Sequence, residues 1–197
     1  MKTKDIFALI VAILFFSNTF AQDTTSLKKR SWYIPDYGKI QFAGNIGFFS
    51  LGIGYQFFNN HLYSELLYGY VPVSISKAKQ IHTITIKNTF PVFTKQFNTI
   101  ALSPITGFAA SVETGNNSFV KLPDEYPEDY YCTNAFHFTL FIGAKVYMDF
   151  INEKIIKGAD IYIEIGTVDA YLYYAIISEE VKISQILSTA IGVNLYF

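Results

Sequence analysis

The sequence predicts an all-β protein, an eight-stranded antiparallel transmembrane β-barrel preceded by a cleaved signal peptide. Its composition is the first reason: 51% of the 197 residues are hydrophobic and only 16% are charged. A soluble domain carries about 25% charged residues, because its surface faces water. The second reason excludes membrane helices, since beyond residue 21 no uncharged apolar run approaches the roughly 20 residues that a spanning helix needs. Apolar residues are instead spread through short segments, which favours strands.

The first 21 residues have the pattern of a secretory signal peptide. Two lysines open the segment, residues 6–16 form an apolar core, and residues 19–21 form a small-residue cleavage site. An uncleaved anchor helix is the alternative, but the apolar core is too short to span a bilayer. We therefore expect Gln22 to begin the mature protein. Residues 22–38 are polar and without periodicity, and we expect them to form an N-terminal periplasmic segment.

From residue 39 to the C-terminus apolar residues recur with a period of two, which indicates strands whose two faces meet different surroundings. The clearest segment places Leu51 and Ile53 on one face and Gly52 and Gly54 on the other. Eight segments follow one another, each close to the roughly 9–11 residues that a tilted membrane strand needs. They lie near residues 39–47, 50–57, 62–70, 82–92, 99–112, 136–148, 159–174 and 187–197.

The links between the segments also fit a membrane barrel. Those near 58–61, 94–98 and 149–158 are fairly short, whereas the link 113–135 is long, polar and acidic. Short periplasmic turns and longer external loops are typical of membrane barrels, as are girdles of aromatic residues near the strand ends. The residues that we expect in such girdles are Tyr68, Tyr70, Tyr171, Tyr173, Tyr174 and Tyr196.

A soluble barrel or a β-sandwich is the alternative fold. Such a protein would expose the polar face of its strands, and that face would then be rich in charge. Here the polar face consists mostly of Gly, Ala, Ser and Thr, which suits a narrow packed interior better than a solvated surface.

Four charged residues fall on the predicted inward face: Glu65, Lys87, Lys145 and Glu164. Registers drawn from the loop positions place Lys87 diagonal to Glu65, and Lys145 close to Glu164. Opposite-charge pairs are expected there, because a buried charge is tolerated only when it is paired and hydrogen-bonded. Eight strands leave an interior just wide enough for side chains to fill. We interpret the four residues as a structural plug; a gated polar pore is the alternative.

Residues 39–197 resemble the small outer-membrane barrel proteins of bacteria with two membranes, the group that includes the OmpA-type transmembrane domain and OmpX. The resemblance rests on the alternation, the glycine spacing and the C-terminal segment IGVNLYF. In that group a final strand ending in Phe, as at Phe197, is similar to the signal read by the barrel-assembly machinery. The resemblance implies a place in the bacterial outer membrane, contact with outer-membrane lipid and passage through that machinery.

One histidine, His137, lies in a sequence context that could support catalysis. His137 and Ser111 could be neighbours near the outer end of the lumen, and a Ser–His pair with a carboxylate would suggest acyl transfer on lipids. Some outer-membrane barrels, the lipid A deacylases and palmitoyltransferases, do such chemistry. However, the His-x-Ser spacing associated with the deacylases is replaced here by His137-Phe138-Thr139, and Asp169 has the wrong parity to supply the carboxylate. We therefore interpret His137 as a polar lumen histidine and assign no catalytic residue.

The sequence thus favours a non-enzymatic outer-membrane barrel with a structural or surface-interaction role. The acidic, tyrosine-containing loop 113–135 would meet a possible extracellular ligand. A lipid-modifying enzyme and a narrow channel are the alternatives. No basic patch or motif indicates nucleic acid. We expect no cofactor and no metal, because Cys132 is the single cysteine and the three histidines do not form a group.

Overall fold

The computed structural model describes residues 33–77, 79–114, 135–150, 155–177 and 182–197. The predicted signal peptide, residues 22–32 and most of the acidic loop 113–135 lie outside the described residues. Within the described part the chain forms nine strands and three short helices. The strands are β1 (Tyr37–Ala43), β2 (Phe49–Phe57), β3 (Leu62–Val71), β4 (Ile81–Pro91), β5 (Lys95–Phe97), β6 (Ile100–Thr114), β7 (Phe136–Asp149), β8 (Gly158–Val168) and β9 (Ser188–Tyr196). The helices are α1 (Val73–Ser76), α2 (Asp169–Ile177) and α3 (Ile183–Ile186).

Eight of the strands close into an antiparallel barrel, which confirms the predicted fold class. Neighbouring strands pair from β1 to β4 and from β6 to β9. The pairs β4–β6 and β1–β9 complete the ring. The ninth strand, β5, is a short addition that pairs with the start of β6 beyond the end of β4. A closed ring leaves no strand edge without a hydrogen-bonding partner, which a barrel in lipid requires.

The two faces of the barrel wall have opposite polarity. Along β4, Ile84 and Ile86 point outward and are 49% and 57% exposed, whereas Thr85 and Lys87 point inward and are 0% and 1% exposed. The same alternation follows β3, β7 and β8. The apolar face is therefore outside and the polar face inside, the reverse of the arrangement in a soluble barrel.

The two ends of the barrel also differ. The end that we call the terminus end carries the start of β1, the C-terminal Phe197 and the turns after β2, β4 and β7. The opposite end, called the long-loop end, carries the turn after β1, helix α1, the end of β6 with the start of β7, and helices α2 and α3. Within the described residues no helix is long and apolar enough to cross a bilayer.

Two strand ends differ from the prediction. The segment 159–174 was expected to be a strand throughout, but β8 ends at Val168 and the chain continues as α2. After Asp169 the segment is apolar at both parities, so it lacks the alternation that a strand between lipid and lumen needs. The first segment was expected to reach residue 47, but β1 ends at Ala43. There positive φ angles at Ala43 (61°) and Gly44 (87°) turn the chain into β2.

Candidate functional site: the lumen

The middle of the lumen holds three lysines and three carboxylates, all buried. Lys39 of β1 and Glu65 of β3 form the first pair: Lys39 Nζ donates to both carboxylate oxygens, at 2.7 Å each. Tyr37 donates its hydroxyl to Glu65 Oε1 at 2.8 Å. The charge on each of these side chains therefore has a partner that replaces water.

Lys87 of β4 and Glu164 of β8 form the second pair, across the lumen. Lys87 Nζ donates to both carboxylate oxygens at 2.6 Å and to Gln41 Oε1 at 3.2 Å. Tyr162 also donates its hydroxyl to Gln41 Oε1, at 2.9 Å. The tyrosine ring lies under the first pair, with Lys39 Nζ 4.2 Å from its centroid, so the two pairs belong to one network.

Asp160 of β8 is the centre of a third cluster. Asn194 Nδ2 donates to Asp160 Oδ1 at 2.8 Å, and the hydroxyl of Tyr196 donates to Oδ2 at 2.5 Å. Lys145 Nζ lies 3.8 Å from Asp160 Oδ2 and 3.5 Å from the ring centroid of Tyr63. With this cluster the middle of the lumen has three lysines and three carboxylates, so their formal charges cancel.

The structure brings all four predicted lumen residues to the interior, but it pairs them differently. Glu65 and Lys87 are directly opposite in the β3–β4 register, yet their ion-pair partners are Lys39 and Glu164. Lys145, expected beside Glu164, contacts Asp160 instead. The reason is that long side chains reach across a narrow lumen, so an ion pair is not limited to adjacent strands.

Sequence reasoning missed Lys39 and Asp160 as members of this network. The alternation along the strands could have found both residues. Asp160 is an even number of positions from the inward-facing Glu164, and Lys39 is two positions from the inward-facing Gln41. The sequence predicts that the barrel begins at Lys39, which would make this residue a strand end. Strand β1 in fact begins at Tyr37, which pairs with Tyr196, so Lys39 lies within the strand.

Tyrosine rings fill the lumen towards the terminus end. Tyr37 packs against Tyr63 and Tyr196 with ring centroids 6.0 and 5.1 Å apart, and Tyr147 meets Tyr196 at 5.3 Å. A Cβ added at Gly54 would lie 2.1 Å from Tyr37 Cζ, so the glycine makes room for the ring. Tyr196 was expected in an outer aromatic girdle, but it is buried inside, because β9 presents even-numbered residues to the lumen.

The lumen also holds a recess in the half next to the long-loop end. The recess, of about 260 Å³ including its part open to solvent, is lined by small side chains such as Ala109 and Ala190 and by the turn after β1. Lys87 and Glu164 form part of its lining. Thr139 also lines it, and its buried hydroxyl has no hydrogen-bond partner among the described residues.

His137 and Ser111 are direct partners in the β6–β7 register. Ser111 is buried, and its hydroxyl lies 2.8 Å from that of Thr85. His137 Nε2 lies 4.0 Å from Glu113 Oε2, with both side chains partly exposed at the rim of the lumen. The sequence predicts that the loop begins at Glu113, but β6 continues to Thr114 and places Glu113 on the inward face.

The other two histidines lie elsewhere. His61 Nδ1 is 2.7 Å from the carbonyl oxygen of Phe58 in the turn after β2, at the terminus end. His82 lies on the outward face and contacts Tyr68. Among the residues that the structure describes, no group of three potential metal ligands is present.

Comparisons with known proteins add little to this description. No family model matches the sequence, and no curated protein matches it. Among solved structures, the crystal structure of the outer membrane enzyme PagL is similar, with a TM-score of 0.41 and 11% sequence identity over 81% of this chain and 95% of that chain. At this level neither activity nor residue roles carry over. The barrel assignment rests on the strand pairing itself, and the finer resemblance to the OmpA-type domain and OmpX stays a prediction.

Proposed function

We propose that this protein is a bacterial outer-membrane β-barrel with a closed lumen and a structural or surface-interaction role, without enzymatic activity. The single observation that carries the proposal is the reversed polarity of the barrel wall. Exposed isoleucine, leucine and phenylalanine side chains surround the outside, while the lysines and carboxylates are buried inside.

An apolar outer surface of this kind is stable in contact with the hydrocarbon chains of lipids. Each Å² of apolar surface left in water costs about 25 cal/mol, and soluble monomers rarely expose apolar patches beyond a few hundred Å². An apolar band around the whole barrel far exceeds a patch of that kind. Closed barrels with an apolar exterior are typical of outer membranes, and the predicted signal peptide agrees with export.

Two features of the lumen support a closed barrel rather than a channel. The three lysines and three carboxylates in the middle of the lumen are matched, so their formal charges cancel there. The packed rings of Tyr37, Tyr63 and Tyr196 occupy the terminus end. Function is then expected in the external loops, above all in the acidic loop 113–135, and we propose that an extracellular ligand binds there.

The test is to express the full chain in a bacterium with two membranes and to separate the membranes. We expect the protein in the outer-membrane fraction, resistant to extraction with alkaline carbonate. Unheated samples should migrate faster than boiled samples on a denaturing gel, because closed membrane barrels stay folded in detergent. An inner-membrane protein and a soluble periplasmic protein serve as markers. A mature protein that is soluble in the periplasm would contradict the proposal.

A lipid-modifying enzyme is a second candidate, because Ser111, His137 and Glu113 lie side by side at the rim of the lumen. A nucleophile, a base and an orienting carboxylate are the parts of a Ser–His–acid triad. Against this, the hydroxyl of Ser111 is buried and already bonded to Thr85. The main proposal therefore treats the group as structural.

Replacing His137 with Ala separates the two candidates. The structural proposal expects the acyl-chain composition of the outer-membrane lipids to be the same with wild type, His137→Ala and Ser111→Ala, as measured by mass spectrometry of extracted lipids. Cells without the protein provide the baseline. A difference between wild type and that baseline that both variants abolish would establish the enzyme instead.

A further inference from the structure

The apolar outward face of the barrel carries three polar side chains on neighbouring strands. They are Ser64 of β3, Asn88 of β4 and Thr106 of β6, and we call them the polar stripe. Ser64 Oγ donates to Asn88 Oδ1 at 2.6 Å, so these two residues are held together. Along β4, Asn88 stands between Ile86 and Phe90, which are 57% and 37% exposed. The polar stripe therefore interrupts a surface that is otherwise apolar.

The strand registers place the polar stripe near the middle of the barrel wall. One row of paired outward residues descends from the end of β8 at the long-loop end through Thr167, Leu140, Phe108, Asn88, Ser64 and Tyr55. Thr106 lies two residues nearer to the terminus end than Phe108. Because membrane strands tilt by about 40°, this offset nearly cancels one step around the ring, and Thr106 lies within about 2 Å of the height of Asn88.

On the eight barrel strands, the other hydrogen-bonding side chains that face outward lie nearer to one end than the polar stripe does. These residues are Tyr55, Tyr68, Tyr70, His82, Thr114, Thr167 and Thr189. Headgroups and water lie at the two ends of a membrane barrel and can bond such side chains. At the level of the polar stripe the surrounding lipid consists of acyl chains, which offer no hydrogen-bond acceptor.

The amide of Asn88 is only half satisfied within the protein. Its oxygen accepts from Ser64, but no hydrogen bond in the described part of the chain uses its Nδ2 group. Thr106 lies on the far side of Phe90 and Phe108, whose ring centroids are 6.2 Å apart, and its hydroxyl donates to a carbonyl of its own wall. A polar group that faces hydrocarbon without a partner costs free energy, so the Asn88 amide calls for an acceptor outside the barrel.

A second copy of this chain can supply that acceptor. Two barrels inserted in the same direction are related by a two-fold axis parallel to the barrel axis, so every residue has the same height in both copies. A polar stripe that lies at one height then meets the polar stripe of the other copy, as a self-complementary interface requires. Asn88 Oδ1 and Thr106 Oγ1 each retain a free acceptor position, because an amide oxygen and a hydroxyl oxygen each have two lone pairs.

We propose that the polar stripe is the centre of a lateral interface between two copies of this protein within the membrane. The Nδ2 group of each Asn88 donates to an oxygen of the other copy's polar stripe. Ile86, Phe90 and Phe108 surround this contact and exclude lipid from it, since all three are exposed on the outward face. The inference rests on the proposed membrane location and adds a partner, a second copy of the chain.

Energy transfer between copies of the full chain in lipid vesicles measures the association. The single cysteine, Cys132, is labelled in urea with a donor or an acceptor dye, and the labelled chains are mixed and refolded into vesicles. The transfer is followed as the protein-to-lipid ratio is lowered. A monomeric barrel protein with the same dyes gives the transfer that arises from chance proximity, and the remainder yields the dissociation constant in the bilayer.

Asn88→Leu should raise this dissociation constant about eightfold. The symmetric interface then loses two hydrogen bonds, and each hydrogen bond between membrane-embedded segments contributes about a threefold factor. The matched control is Ile191→Leu, because Ile191 is an exposed outward residue in the middle of β9, on the far side of the ring. This variant should leave the dissociation constant unchanged.

Cross-linking locates the interface independently. In a Cys132→Ser background, Leu66→Cys places a thiol on the outward face two residues from Ser64, and Ile191→Cys places one on the far side of the ring. A short bis-maleimide should join two copies of the Leu66→Cys protein in higher yield than two copies of the Ile191→Cys protein. Adding Asn88→Leu should lower the yield at Leu66→Cys.

The outcomes that would overturn the inference are distinguishable. Energy transfer at the chance level at every ratio shows a monomer, and the membrane location stands if the protein still resists carbonate extraction. Association that Asn88→Leu leaves unchanged, or equal cross-linking at both positions, places the interface elsewhere. Cross-linking in cells from Leu66→Cys to a different protein, without a linked pair of copies, replaces the second copy with another partner. Failure to insert into vesicles, without heat-modified gel migration, contradicts the membrane location as well. The same migration assay verifies that each variant is folded.

Discussion

The buried pair of Lys39 and Glu65 shows that a charged residue in the lumen needs both a counter-ion and further hydrogen bonds. Removing two charges from water costs several kcal/mol for each ion, and their attraction offsets this only when further hydrogen bonds are present. Glu65 has such bonds, since it accepts from both Lys39 and Tyr37. The carboxylate therefore stabilises the fold only as part of a complete set of partners.

Replacing Glu65 with Gln should lower the free energy of unfolding by about 3 kcal/mol, because the charge on Lys39 then stays buried without its counter-ion. Equilibrium unfolding in urea, in the presence of lipid vesicles, measures the change. The matched control is Glu113→Gln at the rim, where 26% of the side chain is exposed and the loss should stay within about 1 kcal/mol.

A second variant tests whether the cause is the unpaired charge. The double replacement Lys39→Met with Glu65→Leu should regain part of the lost stability, because an apolar pair leaves no uncompensated ion. Equal unfolding midpoints for wild type and Glu65→Gln would contradict the argument for this residue.

The odd or even position of a residue along its strand predicts whether its side chain points into the lumen, but it does not predict which side chain it will pair with. Glu65, Lys87, Lys145 and Glu164 are all buried on the inward face, because side-chain direction alternates strictly along a strand. Their partners could not be read from parity, since the pairs Lys87–Glu164 and Lys39–Glu65 join strands that are not neighbours in the ring.

At the scale of the element, each barrel strand alternates between apolar residues that face outward and small or polar residues that face the lumen. Strand β7 is a good example: its outward residues from Phe136 to Met148 are apolar and, apart from the half-buried Ala144, exposed, and its inward ones include Thr139 and Lys145. A shift of the register by one residue would exchange the two faces. The alternation therefore specifies the register of every strand strongly.

A charge placed on the outward face of β7 should be costly according to its depth. Ile142 lies in the middle of the strand and is 67% exposed to the surroundings of the barrel, so Ile142→Lys should lower the free energy of unfolding by about 2–4 kcal/mol in vesicles. Phe136→Lys, at the end of the same strand, should lower it by at most about 1 kcal/mol.

Urea unfolding of the reconstituted variants measures both values. The comparison is informative because both positions are exposed in the isolated protein. If the outer face met water, the two substitutions would have equal and small effects, and the membrane assignment of this face would be wrong.

Helix α2 shows where element prediction failed. Residues 169–174 were expected to end the strand segment 159–174 and to place tyrosines in an aromatic girdle. The alternation stops at Asp169, however, and Ala and Leu favour a helix. Strand β7 continues to Phe136 beyond its last pairing with β8 at Thr139 and Val168, yet residues 169–177 leave the sheet, so local preference decides the structure there.

At the scale of the whole molecule, the number of strands determines how wide the closed ring is and therefore how completely side chains fill its lumen. With eight strands the interior is only as wide as its own side chains. Tyrosine rings fill the described part of the lumen at the terminus end, and the charge network fills its middle. The recess beside Thr139 lies in the half of the lumen next to the long-loop end, since the turn after β1 and Gly166 line it.

We accordingly expect the purified full-length protein to give no discrete conductance steps in a planar lipid bilayer in 1 M KCl. A porin added later to the same bilayer serves as the positive control. The variant Lys87→Ala with Glu164→Ala should also be silent, because the tyrosine cluster remains. Regular single-channel steps from the wild type would establish the channel alternative.

The sequence alone determined the fold class, the number of spans and the inward or outward direction of most side chains. These properties follow from a period of two and from composition, which are local. The tertiary structure decided how the lumen charges pair, and that Ser111, His137 and Glu113 meet at the rim. It also decided that Tyr196 packs inside and that residues 169–177 leave the sheet. Such contacts depend on the diameter of the closed ring and on where each strand ends, and neither quantity is encoded in any one segment of the chain.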